Sequence, residues 1–173
     1  GVMEGHQNEF KTTKSQEELV EESLANPYGS PSLEELCAGK KDIVIISSDH
    51  TRPVPSRVTM PILLHHIHAA APEARVRILV ATGMHRPSIV ANEEIVMHVA
   101  TDDSMMKKIG TLPSGGECII NKIAADCDLL LAEGFIEPHF FAGFSGSRKS
   151  VLPGIASYKT IMYNHNGQFV NDS

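Results

Sequence analysis

The sequence predicts an α/β fold, a Rossmann-like parallel sheet flanked by helices, and three observations carry that expectation. Apolar runs without polar alternation at 42–49 (DIVIISSD), 75–82 (RVRILVAT) and 128–135 (DLLLAEGF) read as strands buried on both faces. A stretch of helical period, 56–74, joins the first two, as a βαβ crossover requires. Two capping boxes open further helices upstream.

Taken in order, SQEELVEESLANP (15–27) begins with Ser15 and Glu18 in capping-box spacing, sets Leu19, Val20 and Leu24 on one side, and ends before Pro27. SLEELCAGK (32–40) repeats the signal with Ser32 and Glu35 and stops at Gly39. The first strand follows. SRVTMPILLHHIHAAAPEA (56–74) is helical by period despite Pro61, and the second strand comes after it. INKIAADC (120–127) reads as a short helix or turn before the third strand.

At 173 residues, 42% hydrophobic and 21% charged, the chain suits one globular domain with a real core. A formal charge of −6, mixed along the sequence, speaks against nucleic acid or an anionic membrane as partner, so a small ligand is expected. Cys37, Cys118 and Cys127 form no CxxC pair and read as small apolar side chains in a reducing compartment. No apolar run approaches the ~20 residues of a membrane span, and the polar start resembles no signal peptide. A cytoplasmic protein is expected.

In an open parallel sheet, ligands bind beyond the carboxyl ends of the strands, where loops and helix N-termini converge. The polar residues of this chain gather there: SSDHTRP (47–53), ATGMHRP (81–87) and EGFIEPHFFAG (133–143) follow the three strands in turn. Asp49, His50, Thr51, Arg52, His85, Arg86, Glu137 and His139 are thereby expected at one edge. Either histidine alone could cap a turn or hydrogen-bond a carbonyl; together they suit two-base proton chemistry. Arg52 offers a planar fork for a carboxylate. His65, His66 and His68 read as an ordinary helix surface, and His6 and His98 carry no motif.

GFSGSRKS (143–150) superficially matches a phosphate loop, yet Ser147 and Arg148 separate the second glycine from the lysine, so the Walker spacing fails. Gly143 and Gly146 still permit close backbone approach to an anion, with Ser145, Ser147 and Arg148 as donors. Lys149 lies between that loop and the apolar VLPG. A primary amine in such a place suits covalent attachment of a cofactor.

SSDHTRPVPS, ATGMHRP, EGFIEPHFFAGFSGSRKSVLPGIASYKTIM and the following NHNG together resemble the N-terminal domain of the nickel-dependent, nickel-pincer-nucleotide lactate racemase family. The resemblance implies a lactate racemase working by hydride transfer to and from a pyridinium-derived pincer nucleotide. Lys149 matches the lysine that carries that cofactor through a thioamide, and His165 matches the nickel ligand. His85 and His139 match the acid/base pair and Arg52 the substrate-carboxylate arginine, while Asp49 and Thr51 fall in the loop that contacts the cofactor. Cofactor-synthesis accessory proteins are implied partners. A soft donor set with one imidazole is chemically sensible for Ni(II).

Two departures stand beside the resemblance. Family members continue into a second domain that closes the cleft, so residues 1–173 are expected to be the N-terminal, cofactor-binding and catalytic domain of a larger enzyme. Between HRPS (85–88) and ANEEIVMH (91–98) the family carries an acidic piece of about a dozen residues that this chain lacks, next to His85. The readings left open are a racemase or epimerase of another 2-hydroxy acid, an anion- or nucleotide-binding phosphotransferase, and a non-catalytic metal-binding module.

Overall fold

The computed structural model describes residues 11–48, 54–81, 93–139, 143–144 and 146–164. Within them, four parallel strands form the central sheet: β1 (Asp42–Ser48), β2 (Arg75–Ala81), β3 (Glu94–Met97) and β6 (Leu129–Ala132), in the order β3-β2-β1-β6. A hairpin of β4 (Met106–Thr111) and β5 (Glu117–Asn121) precedes β6, and the two-residue strands β7 (Pro138–His139) and β8 (Gly143–Phe144) follow it. The helices are α1 (Gln16–Ala25), α2 (Leu33–Cys37), α3 (Ser56–Ala70), α4 (Lys122–Asp126) and α5 (Tyr158–Asn164).

The sheet is buried on both faces, as the unalternating runs require. Ile43 and Ile45 of β1 and Val76, Ile78 and Val80 of β2 pack with Leu33, Cys37, Met60, Leu64 and Ile67 from α2 and α3. Val44 and Ile46, with Leu79 and Ala81, point the other way and meet Ile120, Ala124, Ile155 and Ala156. Helices therefore cover the first face. On the second, the short α4 shares the work with β5 and the segment after Lys149.

Both expected capping boxes are formed: the Ser15 hydroxyl accepts from the Glu18 amide at 3.2 Å and the Glu18 carboxylate from the Ser15 amide at 2.7 Å, and Ser32 and Glu35 repeat the pattern. Of the helical histidines, His66 carries the structural weight. Its Nδ1 meets Glu34 at 2.6 Å and its Nε2 meets Glu21 at 2.7 Å, and because both carboxylates only accept, both ring nitrogens donate. The bond to Glu21, then that to Glu34, raises the imidazole's pKa, and the resulting cation stitches α1 and α2 to α3. Among the described residues no helix is long and apolar enough to cross a membrane.

Where the structure departs from the sequence reading, pairing decides. INKIAADC divides: Ile120 and Asn121 end β5, and the Asn121 side chain then accepts from the Ile123 amide to cap α4. Glu94–Met97 and the β4–β5 hairpin are strands that no periodicity announced. All three cysteines are free, with Cys37 fully buried.

Candidate functional site at the carboxyl edge of the sheet

The strand order locates a crevice. From β1 the chain passes through α3 to β2 on one side, while β6 lies on the other side of β1, which makes the β1/β6 boundary a topological switch point. Register places Ser48 beside Ala81 and Ile46 beside Ala132, so the segments beginning at 49, 82 and 133 leave the sheet from one edge. Asp49, Thr51 and Arg52, and likewise His85 and His165, lie outside the described residues.

At the switch point the β6 chain continues into Glu133, whose amide donates to Ile46 O at 2.8 Å. The Glu133 side chain is buried and accepts from Ser47 Oγ at 3.0 Å and from Thr59 Oγ1. From there the backbone runs through Phe135 and Ile136 to His139. Pro138 and His139 pair antiparallel with Phe144 and Gly143, turning the chain back on itself. Gly146 then closes the excursion against its own start. Its φ of 84° and ψ of −175° belong to a region open essentially to glycine, and a Cβ there would stand 2.7 Å from the Phe135 carbonyl oxygen. The chain thus doubles back where Pro138–His139 pairs with Gly143–Phe144, and Gly146 serves close backbone packing. A Gly146→Ala variant is expected to lose roughly 2–3 kcal/mol of stability from the forced backbone and the clash. An unchanged denaturation midpoint would contradict that account.

Lys149 and Arg148 sit on a 3-10 turn, Ser147–Ser150, which packs against β1. The Lys149 amide donates to Gly146 O at 3.0 Å and its carbonyl accepts from Gly154 N at 2.9 Å. Gly154 leaves no room for a Cβ beside the Ser150 carbonyl, a constraint unremarked in the sequence reading. The chain beyond is pinned in turn: Asn121 N donates to Ile155 O at 2.9 Å and Ser157 N to Ile119 O at 2.9 Å.

Two buried polar groups that no motif announced complete the scaffold. His98 Nε2 meets the Ala156 carbonyl at 3.0 Å, and its Nδ1 meets Asn121 Nδ2 at 3.2 Å. Because the Asn121 oxygen caps Ile123, its amide nitrogen faces the ring, so His98 is neutral with the proton on Nε2. Burial pushes its pKa below the ordinary histidine value, in keeping with that tautomer. Thr160 is fully buried and donates to Glu117 O at 2.9 Å while accepting from Ile119 N at 3.1 Å, which fixes α5 to β5. The bonds of His98 and Thr160 to these partners span 23 to 58 residues of sequence, so no local signal could have found them.

Comparison with known proteins agrees with this architecture. Residues 2–173 match the family model described as the lactate racemase N-terminal domain. The chain is 68% identical over 169 residues to a lactate racemase of Lactiplantibacillus plantarum, covering 91% of this chain and 40% of that protein. It is 50% identical over 184 residues to a lactate racemase of Thermoanaerobacterium thermosaccharolyticum, covering 99% of this chain and 43% of the relative. The latter span exceeds the 173 residues of this chain by 11, so the relative carries additional residues within it. The solved lactate racemase apoprotein from Thermoanaerobacterium thermosaccharolyticum superposes with a TM-score of 0.85 at 53% identity, over 91% of this chain and 40% of that one. The chain spans about two fifths of the length of the curated relatives it matches. On a match that runs from residue 2 to residue 173 and a shared fold, this chain belongs to the lactate racemase N-terminal domain family.

Proposed function

We propose that residues 1–173 form the cofactor-binding and acid/base domain of a two-domain lactate racemase. The observation that carries this reading is the 68% identity to the Lactiplantibacillus plantarum lactate racemase across 91% of the chain. The family resemblance brings with it nickel and a pyridinium-derived pincer nucleotide. Three features of the fold support a fit to such a group. Lys149 sits on a turn whose backbone bonds are made internally, so its amine is held on a fixed base. Arg148 beside it is exposed and can meet a phosphate. His165 follows directly on α5, which Thr160 anchors.

When bound, the nickel-pincer nucleotide supplies a hydride acceptor and donor for the lactate α-carbon. The residues of the chain do the rest. Lys149 would hold the cofactor by its amine, Asp49, Thr51, Gly143, Gly146 and Arg148 would contribute further cofactor contacts, and His165 would supply the imidazole that retains nickel. Arg52 fixes the lactate carboxylate and so orients the α-carbon. His139 and His85 would serve as the acid/base pair, one taking the lactate hydroxyl proton and the other returning a proton to that oxygen. Two acid/base groups of like kind suit a substrate and product that are mirror images.

The test is interconversion of D- and L-lactate by the full-length, cofactor-loaded enzyme, followed by chiral analysis, together with elemental analysis of a His165→Ala variant. Racemisation is expected in the parent. The variant is expected to lose nickel while keeping its fold and the Lys149 adduct, because a ligand is removed and the tether is not. Undiminished nickel in the variant would remove His165 from the metal site.

A further inference from the structure

Glu133 is a buried carboxylate at the switch point whose described partners are two neutral hydroxyls, Ser47 and Thr59. Those partners are far apart in sequence and closely placed around one segment. Ser47 lies at the end of β1, just before residues 49–53, and Thr59 lies in the first turn of α3, just after them. One side chain just past β6 therefore bridges the two elements that flank residues 49–53.

We infer that Glu133 is a positioning residue: its carboxylate ties the end of β1 to the first turn of α3, the two elements that flank residues 49–53, at the head of the segment that runs from β6 to His139. This rests on the reading above, in which that loop carries Arg52 to the substrate carboxylate. The backbone supports the assignment of the work to the side chain. Glu133 N bonds Ile46 O whatever the side chain is, so β6 stays in register without it. Each hydroxyl also has a local acceptor to fall back on, Ser48 O at 3.5 Å for Ser47 and Pro55 O at 3.3 Å for Thr59. Removing the carboxylate orphans neither hydroxyl; what disappears is the link between elements. A glutamine can rebuild most of that link, accepting from Thr59 with its oxygen and donating to Ser47, whose own proton turns to Ser48 O.

The experiment compares Glu133→Ala and Glu133→Gln with the parent in the full-length, cofactor-loaded enzyme. For Glu133→Ala, KM for lactate is expected to rise roughly tenfold while kcat changes less than about threefold, and Glu133→Gln is expected to stay within about twofold of the parent in both. The Lys149 adduct, by intact mass, is unchanged in each. Amide hydrogen exchange gives an independent readout: in Glu133→Ala, residues 47–59 exchange faster while 129–132 do not. Unchanged exchange over 47–59 overturns the proposal, as does a loss confined to kcat or a glutamine variant as impaired as the alanine one. A parent enzyme inert towards lactate overturns the functional reading instead, and exchange over 47–59 then still decides whether Glu133 is the clamp.

Discussion

Lys149→Arg is expected to yield a folded protein with no covalent adduct and no racemase activity. The fold is expected to persist because the turn that carries Lys149 is held by backbone bonds, from Lys149 N to Gly146 O and from Gly154 N to Lys149 O, and by the packing of Val151 and Leu152 into the core beyond it. The substitution keeps the positive charge and much of the reach, so a purely electrostatic contact with a phosphate would survive. A guanidinium cannot take the place of the amine in a thioamide. Intact-mass measurement on protein from cells that make the cofactor separates the two roles. An adduct on the arginine variant, or retained activity, would move the attachment point elsewhere and leave this loop with an anion-binding role only.

Removing either imidazole of the acid/base pair is the second large effect. His139→Ala and His85→Ala should each lower turnover by roughly 10²-fold or more, as loss of a general acid or base does, with the Lys149 adduct still present. His139 lies in the two-residue ladder with Gly143, which alanine can occupy with the same backbone bonds, so a change of fold is not the expected cause of the loss. Racemisation at near-parent rates by either variant would show that one histidine serves both faces, or that neither takes the proton.

Much of the fold was legible because its signals are local. A capping box is read within four residues, and Ser15 with Glu18 and Ser32 with Glu35 form as their spacing indicates. β1 and β2 are continuous apolar runs that only a sheet covered on both faces can bury, and both faces are covered. The same reasoning gathered the carboxyl ends of the three predicted strands at one edge, and the register of β1 with β2 and β6 agrees. The family resemblance, carried by blocks such as EGFIEPHFFAGFSGSRKS, reached further than periodicity could.

What tertiary structure alone decided lies where pairing or distant contact overrides local preference. Glu94–Met97 is a strand because β2 offers it an edge, and Glu117–Asn121 is one because β4 and the bridge from Ile120 to Ala156 hold it extended. His98 looked like a residue without a role, yet it is neutral and buried because Ala156 and Asn121 arrive around it from 58 and 23 residues away. Glu133 carries no motif in the sequence. Its partners stand 86 and 74 residues off, and a carboxylate that clamps two hydroxyls is indistinguishable in sequence from one that faces water, since burial and hydrogen-bond geometry arise only when the chain has closed.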